Sequence, residues 1–377
     1  EESTAWPQIT GDVKEGGLGF DYKWNMGWMN DFLNYMKCDP YFRKNNYGAL
    51  TFSMLYAYSE DFVLVFSHDE VVHGKGSMIG KMPGENLEKK AQNLRAAYGY
   101  YMGHPGKKLL FMGQEFGQVH EWNENDDLDW DILQFPVHKQ LQDYVKTLNE
   151  FYKANPAMYQ EDYYPEGFKW INCTYHEESL AMFVRQTKKP EETLLFVCNF
   201  DNVEHKNFKV GVPFYGKYKE VLSSEDVKFG GAGAGNPRAK TAKAIEWDGR
   251  DYSIEITIPA MSVSIFSCTP MKEPKKAVKA EGAEEKKTAG KKTAAKTAGK
   301  TAARKPAAKK AEEKAEADAK PVKAAKSAKA KTTKTTTGKS TGTKSTSAKS
   351  AAAKSTAGKK RTAKAAKEAV SDEAAEK

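Results

Sequence analysis

The hydrophobic pattern changes character along this chain of 377 residues. Phe62-Val63-Leu64-Val65-Phe66 is an unbroken apolar run rich in β-branched and aromatic residues. Such a run suits a strand covered on both faces, as in a parallel α/β sheet. Lys107 to Met112 reads as a second strand, ending at Gly113. Between them Leu87, Leu94, Ala97, Tyr98 and Tyr101 fall on one face at helical spacing, which predicts a helix over 86–102. Strand, helix, strand in this order is a βαβ unit. Leu141, Tyr144, Val145, Leu148, Phe151 and Tyr152 predict another helix over 137–153, ended by Asn155-Pro156.

From about residue 160 the period shortens. Segments near 168–175, 179–187, 192–199, 206–212, 215–222, 251–258 and 261–268 are β-rich and separated by turns such as Lys188-Lys189-Pro190-Glu191 and Asp248-Gly249-Arg250-Asp251. Short strands at this spacing predict an antiparallel sandwich. The glycine-rich stretch 230–235 is a loop within it. No Lys-Ser/Thr stands directly after the glycines and no helix is expected there, so it does not read as a phosphate cradle.

After Pro270 the composition passes abruptly to Lys, Ala, Thr, Ser and Gly, with loose repeats such as residues 292–300. This stretch has no aromatic residue and cannot bury enough apolar area to fold, so a disordered tail is expected. Residues 271–377 carry 31 basic against 12 acidic residues, whereas 1–270 carry 28 against 38. The net charge of +9 therefore sums an acidic body and a basic tail. It gives no reason to expect nucleic-acid binding by the body.

Cys38, Cys173, Cys198 and Cys268 show no C-x-x-C spacing, as suits thiols buried in a reducing compartment. No run approaches the ~18 apolar residues of a membrane span, and no signal peptide is apparent. The expectation is a cytoplasmic protein that does not enter the membrane. The histidines are scattered without ligand spacing, so neither a metal nor another cofactor is expected. The chain opens on Glu1-Glu2-Ser3-Thr4, which reads like the middle of an enzyme.

Ser67-His68-Asp69 follows the 62–66 strand. On a parallel barrel, side chains that do chemistry project from the C-terminal ends of strands. Asp69 could therefore face an active-site mouth, or it could cap the next helix. Taken alone, these residues leave both readings open.

The segment His68-Asp69-Glu70-Val71-Val72-His73-Gly74-Lys75-Gly76-Ser77 resembles the seventh-strand motif of glycogen and starch branching enzymes in the α-amylase superfamily (glycoside hydrolase family 13). Gly19-Phe20-Asp21-Tyr22-Lys23-Trp24-Asn25-Met26-Gly27-Trp28-Met29-Asn30 is similar to their sixth-strand segment. Leu110-Phe111-Met112-Gly113-Gln114-Glu115-Phe116-Gly117, with Glu121-Trp122-Asn123 and Leu128-Asp129-Trp130, resembles their eighth-strand region. Glu1-Glu2-Ser3-Thr4 resembles the end of their fifth strand. The resemblance spans residues 1 to about 269, with the motifs in family order.

The resemblance implies the C-terminal half of a (β/α)8 barrel over 1–158, an all-β sandwich over 159–269, and the tail over 270–377. It implies a transglycosylase that cuts an α-1,4-glucan such as glycogen or starch and rejoins the piece through an α-1,6 linkage. Glu1 corresponds to the general acid/base, with Glu2 the runner-up. Asp69 corresponds to the carboxylate that holds sugar hydroxyls and stabilises the transition state, and His68 to the histidine on the same ring. Retaining transfer needs an acid for the leaving oxygen and then a base for the acceptor hydroxyl. Positive charge developing at the anomeric carbon favours nearby carboxylates. Trp28 and Lys23 are further candidates for substrate binding, with the core the alternative for Trp28 and a structural ion pair the alternative for Lys23. Trp24, Trp122 and Trp130 could stack on sugars or belong to the core, and His73, Lys75 and Glu115 could shape the cleft or form ion pairs.

One departure bears on activity. The family's nucleophile is an Asp in an Asp-Gly-Phe-Arg-x-Asp type segment, and no such segment occurs in these 377 residues. Two carboxylates about 5–5.5 Å apart are needed for retention. The expectation is a fragment that is inactive alone. A hydrolase or debranching relative is the alternative on the same fold, because water and a glucan hydroxyl can attack the same intermediate. The tail could bind polyanions with strong salt dependence, although a solubilising extension is the preferred reading.

Overall fold

The computed structural model describes residues 6–233 and 235–273. Glu1, Glu2 and the expected tail beyond 273 lie outside the described residues.

The N-terminal part alternates strands and helices. β1 (Lys23–Trp24) leads into α1 (Met26–Lys37), then α2 (Gly48–Thr51), β2 (Phe62–Phe66), α3 (Met78–Lys81), α4 (Leu87–Gly103), β3 (Lys107–Leu110) and α5 (Pro136–Ala154). The strands form a three-stranded parallel sheet in the order β1-β2-β3, with Lys23 opposite Phe62 and Val63 opposite Lys107. The apolar run of β2 follows from its central place, since Leu64, Val65 and Phe66 are all buried. The βαβ unit and both expected helices are present within about a residue of their expected ends. α1 was not expected. Asn25 caps it by accepting from the Trp28 amide, and Trp28, Met29, Phe32, Leu33, Tyr35 and Met36 form its buried face.

The C-terminal part is all-β. β4 (Phe168–Asn172), β5 (Leu180–Arg185), β6 (Leu194–Asn199), β7 (His205–Val212), β8 (Gly216–Ser223), β9 (Lys240–Thr241), β10 (Tyr252–Ile258) and β11 (Ser262–Pro270) follow one another along the chain. They build a six-stranded sheet in the order β4-β5-β6-β11-β8-β9 and a two-stranded sheet of β10 with β7. The expected strands are found, and β9 is the addition. All the pairings within these two sheets are antiparallel.

The middle strands are buried on both faces. Along β5, Leu180, Met182 and Val184 enter a core shared with β7 and β10, while Ala181 and Phe183 enter the core of the helices. β6 divides in the same way, with Leu195 and Val197 against Leu194, Phe196 and Cys198. This double burial gives these strands their continuous apolar sequence.

Buried polar side chains tie the helices to the sheet. Arg43 donates to the carbonyls of Met36 (2.8 Å) and Phe200 (2.9 Å) and to Asn93 (2.7 Å). Arg185 donates to Asp162 (2.8 Å) and to the Gly103 carbonyl (2.9 Å). Arg95 pairs with Glu225 at 3.0 Å. Each guanidinium is buried with acceptors around it, as the cost of desolvating a charge requires.

Candidate active site

β2 ends where its apolar run ends. Ser67 accepts from the Asp69 amide at 3.2 Å, and Glu70 accepts from the Ser67 amide at 2.7 Å and its hydroxyl at 3.0 Å. This reciprocal capping box opens a short 3-10 turn over His68–Glu70. Ser67 and Glu70 therefore fill the capping role that could have belonged to Asp69. Glu70 is buried, and that burial raises its carboxyl above the ordinary range against the opposing hydrogen bonds from Ser67.

His68 and Asp69 face outward instead. Their side chains are each 45% exposed, and Nε2 of His68 lies 3.4 Å from Oδ1 of Asp69. The imidazole rests against Trp122 and Phe111, with ring centroids at 5.8 and 5.9 Å. Asp69 borders a cleft of about 380 Å³, lined opposite by Asn30, Asn34 and Lys37 of α1 and closed by Val72 and Lys75. Carboxylate, amides, ammonium groups and apolar rim together suit a polyhydroxylated ligand. The sequence signal for the α1 stripe is the Asn25 cap followed by Asn30, Asn34 and Lys37 at helical spacing.

Trp28 and Lys23 need correction. Trp28 is 1% exposed, packed on Phe32, Phe66 and Tyr101 with centroids 5.2, 5.3 and 5.8 Å away. Neither face is open to a sugar, because its place in α1 turns it into the core. Lys23 is also buried, donating to the Trp6 carbonyl (2.5 Å) and pairing with Glu60 at 3.4 Å. Glu60 in turn accepts from the amides of Ile9 and Thr10 and the Thr10 hydroxyl. Burial would raise the Glu60 carboxyl, but these bonds and Lys23 together hold it below the usual range. Lys23 thus anchors the segment before β1. It sits in the wall of a separate cavity of about 660 Å³ that also includes Trp6, Phe52, Tyr56 and Phe62.

The other candidates divide. Trp122 stands at the site beside His68, while Trp130 is 53% exposed and packs at a tilt against Phe116, with centroids 5.2 Å apart. His73 approaches Glu121 at 3.5 Å, and Lys75 borders the cleft. Glu1 lies outside the described residues, so its distance from Asp69 is not part of this geometry.

Residues 170–269 match the family described as alpha amylase, C-terminal all-beta domain. Over 286 residues the chain is 49% identical to the 1,4-alpha-glucan branching enzymes of Bacillus cereus (strain Q1) and Bacillus anthracis (strain CDC 684 / NRRL 3495). It is 48% identical to that of Bacillus mycoides (strain KBAB4). In each case the match covers 76% of this chain and 44% of the relative, so the chain spans less than half the length of the curated relatives it matches. Among solved structures, the alpha-amylase from H. orenii aligns with a TM-score of 0.43 and 16% identity, over 71% of this chain and 52% of that one. Over the residues that align, the chain is thus similar to 1,4-alpha-glucan branching enzymes.

Proposed function

We propose that this chain contributes the acid/base and sugar-holding side of a branching-enzyme active site, acting on an α-1,4-glucan. The observation that carries the reading is Asp69, outward at the C-terminal end of β2 on the cleft with α1 and with His68 3.4 Å away, in a chain 49% identical over 286 residues to branching enzymes. In this reading residues 1–158 form half of a (β/α)8 barrel and 159–269 its C-terminal sandwich. The parallel order β1-β2-β3 with helices between the strands supports it.

Asp69 then binds sugar hydroxyls and favours positive charge at the anomeric carbon. His68, braced by Trp122, donates or accepts a hydrogen bond on the same ring. Glu1 protonates the leaving oxygen and then deprotonates the 6-hydroxyl of the acceptor glucan. The covalent nucleophile must come from an Asp-Gly-Phe-Arg type segment, which the sequence does not contain.

Amylose branching, followed by the fall in iodine absorbance, tests this. The chain alone is expected to be inactive, and co-production with a branching-enzyme segment carrying that motif is expected to restore branching. Branching by the chain alone would overturn the assignment of the nucleophile. New reducing ends without branches in the reconstituted sample would favour the hydrolase alternative.

A further inference from the structure

The loop that carries His68 and Asp69 continues through Gly76 before α3 begins, and two side chains from outside its middle hold its backbone. Glu121, which follows β3, accepts from the Gly74 amide at 2.9 Å through Oε2 and from the Gly76 amide at 2.6 Å through Oε1. The Lys81 ammonium, at the end of α3, donates to the carbonyls of Glu70 (2.5 Å), Lys75 (2.8 Å) and Gly76. The amide of Trp122 adds a bond to the Val71 carbonyl at 2.8 Å.

The backbone is shaped for this arrangement. Gly74 and Gly76 have φ of +82° and +76°, and a Cβ at either would meet nothing within 4 Å. They are glycine for backbone conformation and not for space. The turn aims both amides at one carboxylate, as backbone N–H groups do in anion-binding nests. Bonds with one ionised partner are about twice as strong as neutral ones, so a protein carboxylate and ammonium are well suited to hold a short polar loop.

We propose that Glu121 and Lys81 are positioning residues: they clamp loop 70–76 and thereby fix Asp69 on the cleft and His68 beside it against Trp122. The link to the site is Trp122. Its amide is tied to Val71 and its ring supports His68, so loop and ring move as one unit. Glu121 neighbours Trp122 in sequence and approaches His73 at 3.5 Å, which joins the clamp to both ends of the loop. The groups facing Lys81 are Glu70 and Lys75 on the loop, Lys37 on α1 and Glu121. Burial, reinforced by Lys37, brings its ammonium down to about 8, so it remains mainly charged at neutral pH. The consequence for glucan rests on the function proposed above, whereas the clamp itself does not.

The test uses the full chain with Glu121→Ala, Lys81→Met and the charge-keeping Lys81→Arg. Amide exchange at Gly74 and Gly76 is expected to quicken about tenfold or more in Glu121→Ala, with exchange in β5 and β6 unchanged. The His68 ring-proton resonance, set by the Trp122 ring current, is expected to shift in Glu121→Ala and Lys81→Met and to stay near its original place in Lys81→Arg. A loop that exchanges no faster in Glu121→Ala, or a His68 resonance that stays put in both disruptive variants, overturns the proposal. Maltoheptaose binding gives a second readout. Where the unaltered chain binds, equal affinity in Glu121→Ala overturns the positioning role, and a tenfold loss supports it. Failure of the unaltered chain to bind counts against the glucan reading alone, and exchange with the His68 resonance still decides the clamp.

Discussion

The six-stranded antiparallel sheet and the three-stranded parallel sheet satisfy their strands differently. In the six-stranded sheet β5, β6, β11 and β8 are each paired on both sides, and β5 and β6 are buried on both faces. In the parallel sheet only β2 is paired on both sides, β1 is two residues long, and every residue of β3 is half-buried. Large apolar side chains stand exposed near that sheet, among them Trp6, Phe20, Tyr22 and Phe52. The antiparallel part packs its strands on one another and on a core that α1, α2, β2, α4 and α5 share. The parallel part carries the candidate chemistry at the end of its one fully paired strand. The doubly buried strands and the exposed candidate site thus lie in different places, and substitutions should separate their effects.

The largest expected effect comes from the buried tie between the two parts. Asp162→Ala leaves Arg185 charged and fully buried without its carboxylate, and should destabilise the fold by about 3–5 kcal/mol in urea unfolding. A loss under about 1 kcal/mol would mean that the two regions are held together by other contacts. Phe196→Ala is next. Its ring stacks on Phe183 at 4.9 Å with planes 8° apart, inside the core between sheet and helices. The expected loss is about 3–5 kcal/mol, read from the same unfolding curves.

A pH experiment sharpens the comparison on the side of the parallel sheet. His104 is buried just before β3, with its ring nitrogens 2.9 Å from the Ser53 hydroxyl and the Pro105 carbonyl. Burial lowers its pKa from 6.5 to about 3. The folded protein therefore binds fewer protons at this site than the unfolded chain between those values. Stability from this site is complete above about 6.5 and is lost as pH falls toward 3. His104→Gln should flatten that part of the stability profile, and an unchanged slope would reject the assignment.

The smallest effects are expected at the surface. Lys139→Ala removes an exposed i,i+4 pair with Asp143 and should cost no more than about 0.5 kcal/mol. Asp69→Asn should change stability as little, while abolishing branching in the reconstituted sample described above. A marked stability loss from Asp69→Asn would mean that this carboxylate is structural, and would remove the contrast between the regions.

Much of this was legible in the sequence because local pattern and burial agreed. β2, α4, β3 and α5 were readable from period and from Asn155-Pro156, and the strands of the all-β part from β-rich segments between turn residues. α1 is less legible, although Asn25 is its cap, since the stretch reads as a strand-end motif and its apolar face is set only by helix phase. The choice between sugar and core for Trp28 is undecided in the sequence for the same reason: a motif tells which residues recur, and only the helix phase tells which way each points. For Lys23 the structure favours the ion pair over the sugar, a choice the sequence leaves open because Glu60, its partner, lies 37 residues away.

The sequence by itself determined the order of elements, the acidic body and basic tail, and the segment bearing His68 and Asp69. These follow from side-chain chemistry and periodicity, which act over a few residues. The tertiary structure decided which charged and aromatic groups face the cleft. It turned Trp28 and Lys23 inward, left His68 and Asp69 outward, and brought Glu121 and Lys81 onto the same loop from beyond β3 and from α3. Desolvation and hydrogen-bond satisfaction make those choices, and both depend on neighbours distant in sequence.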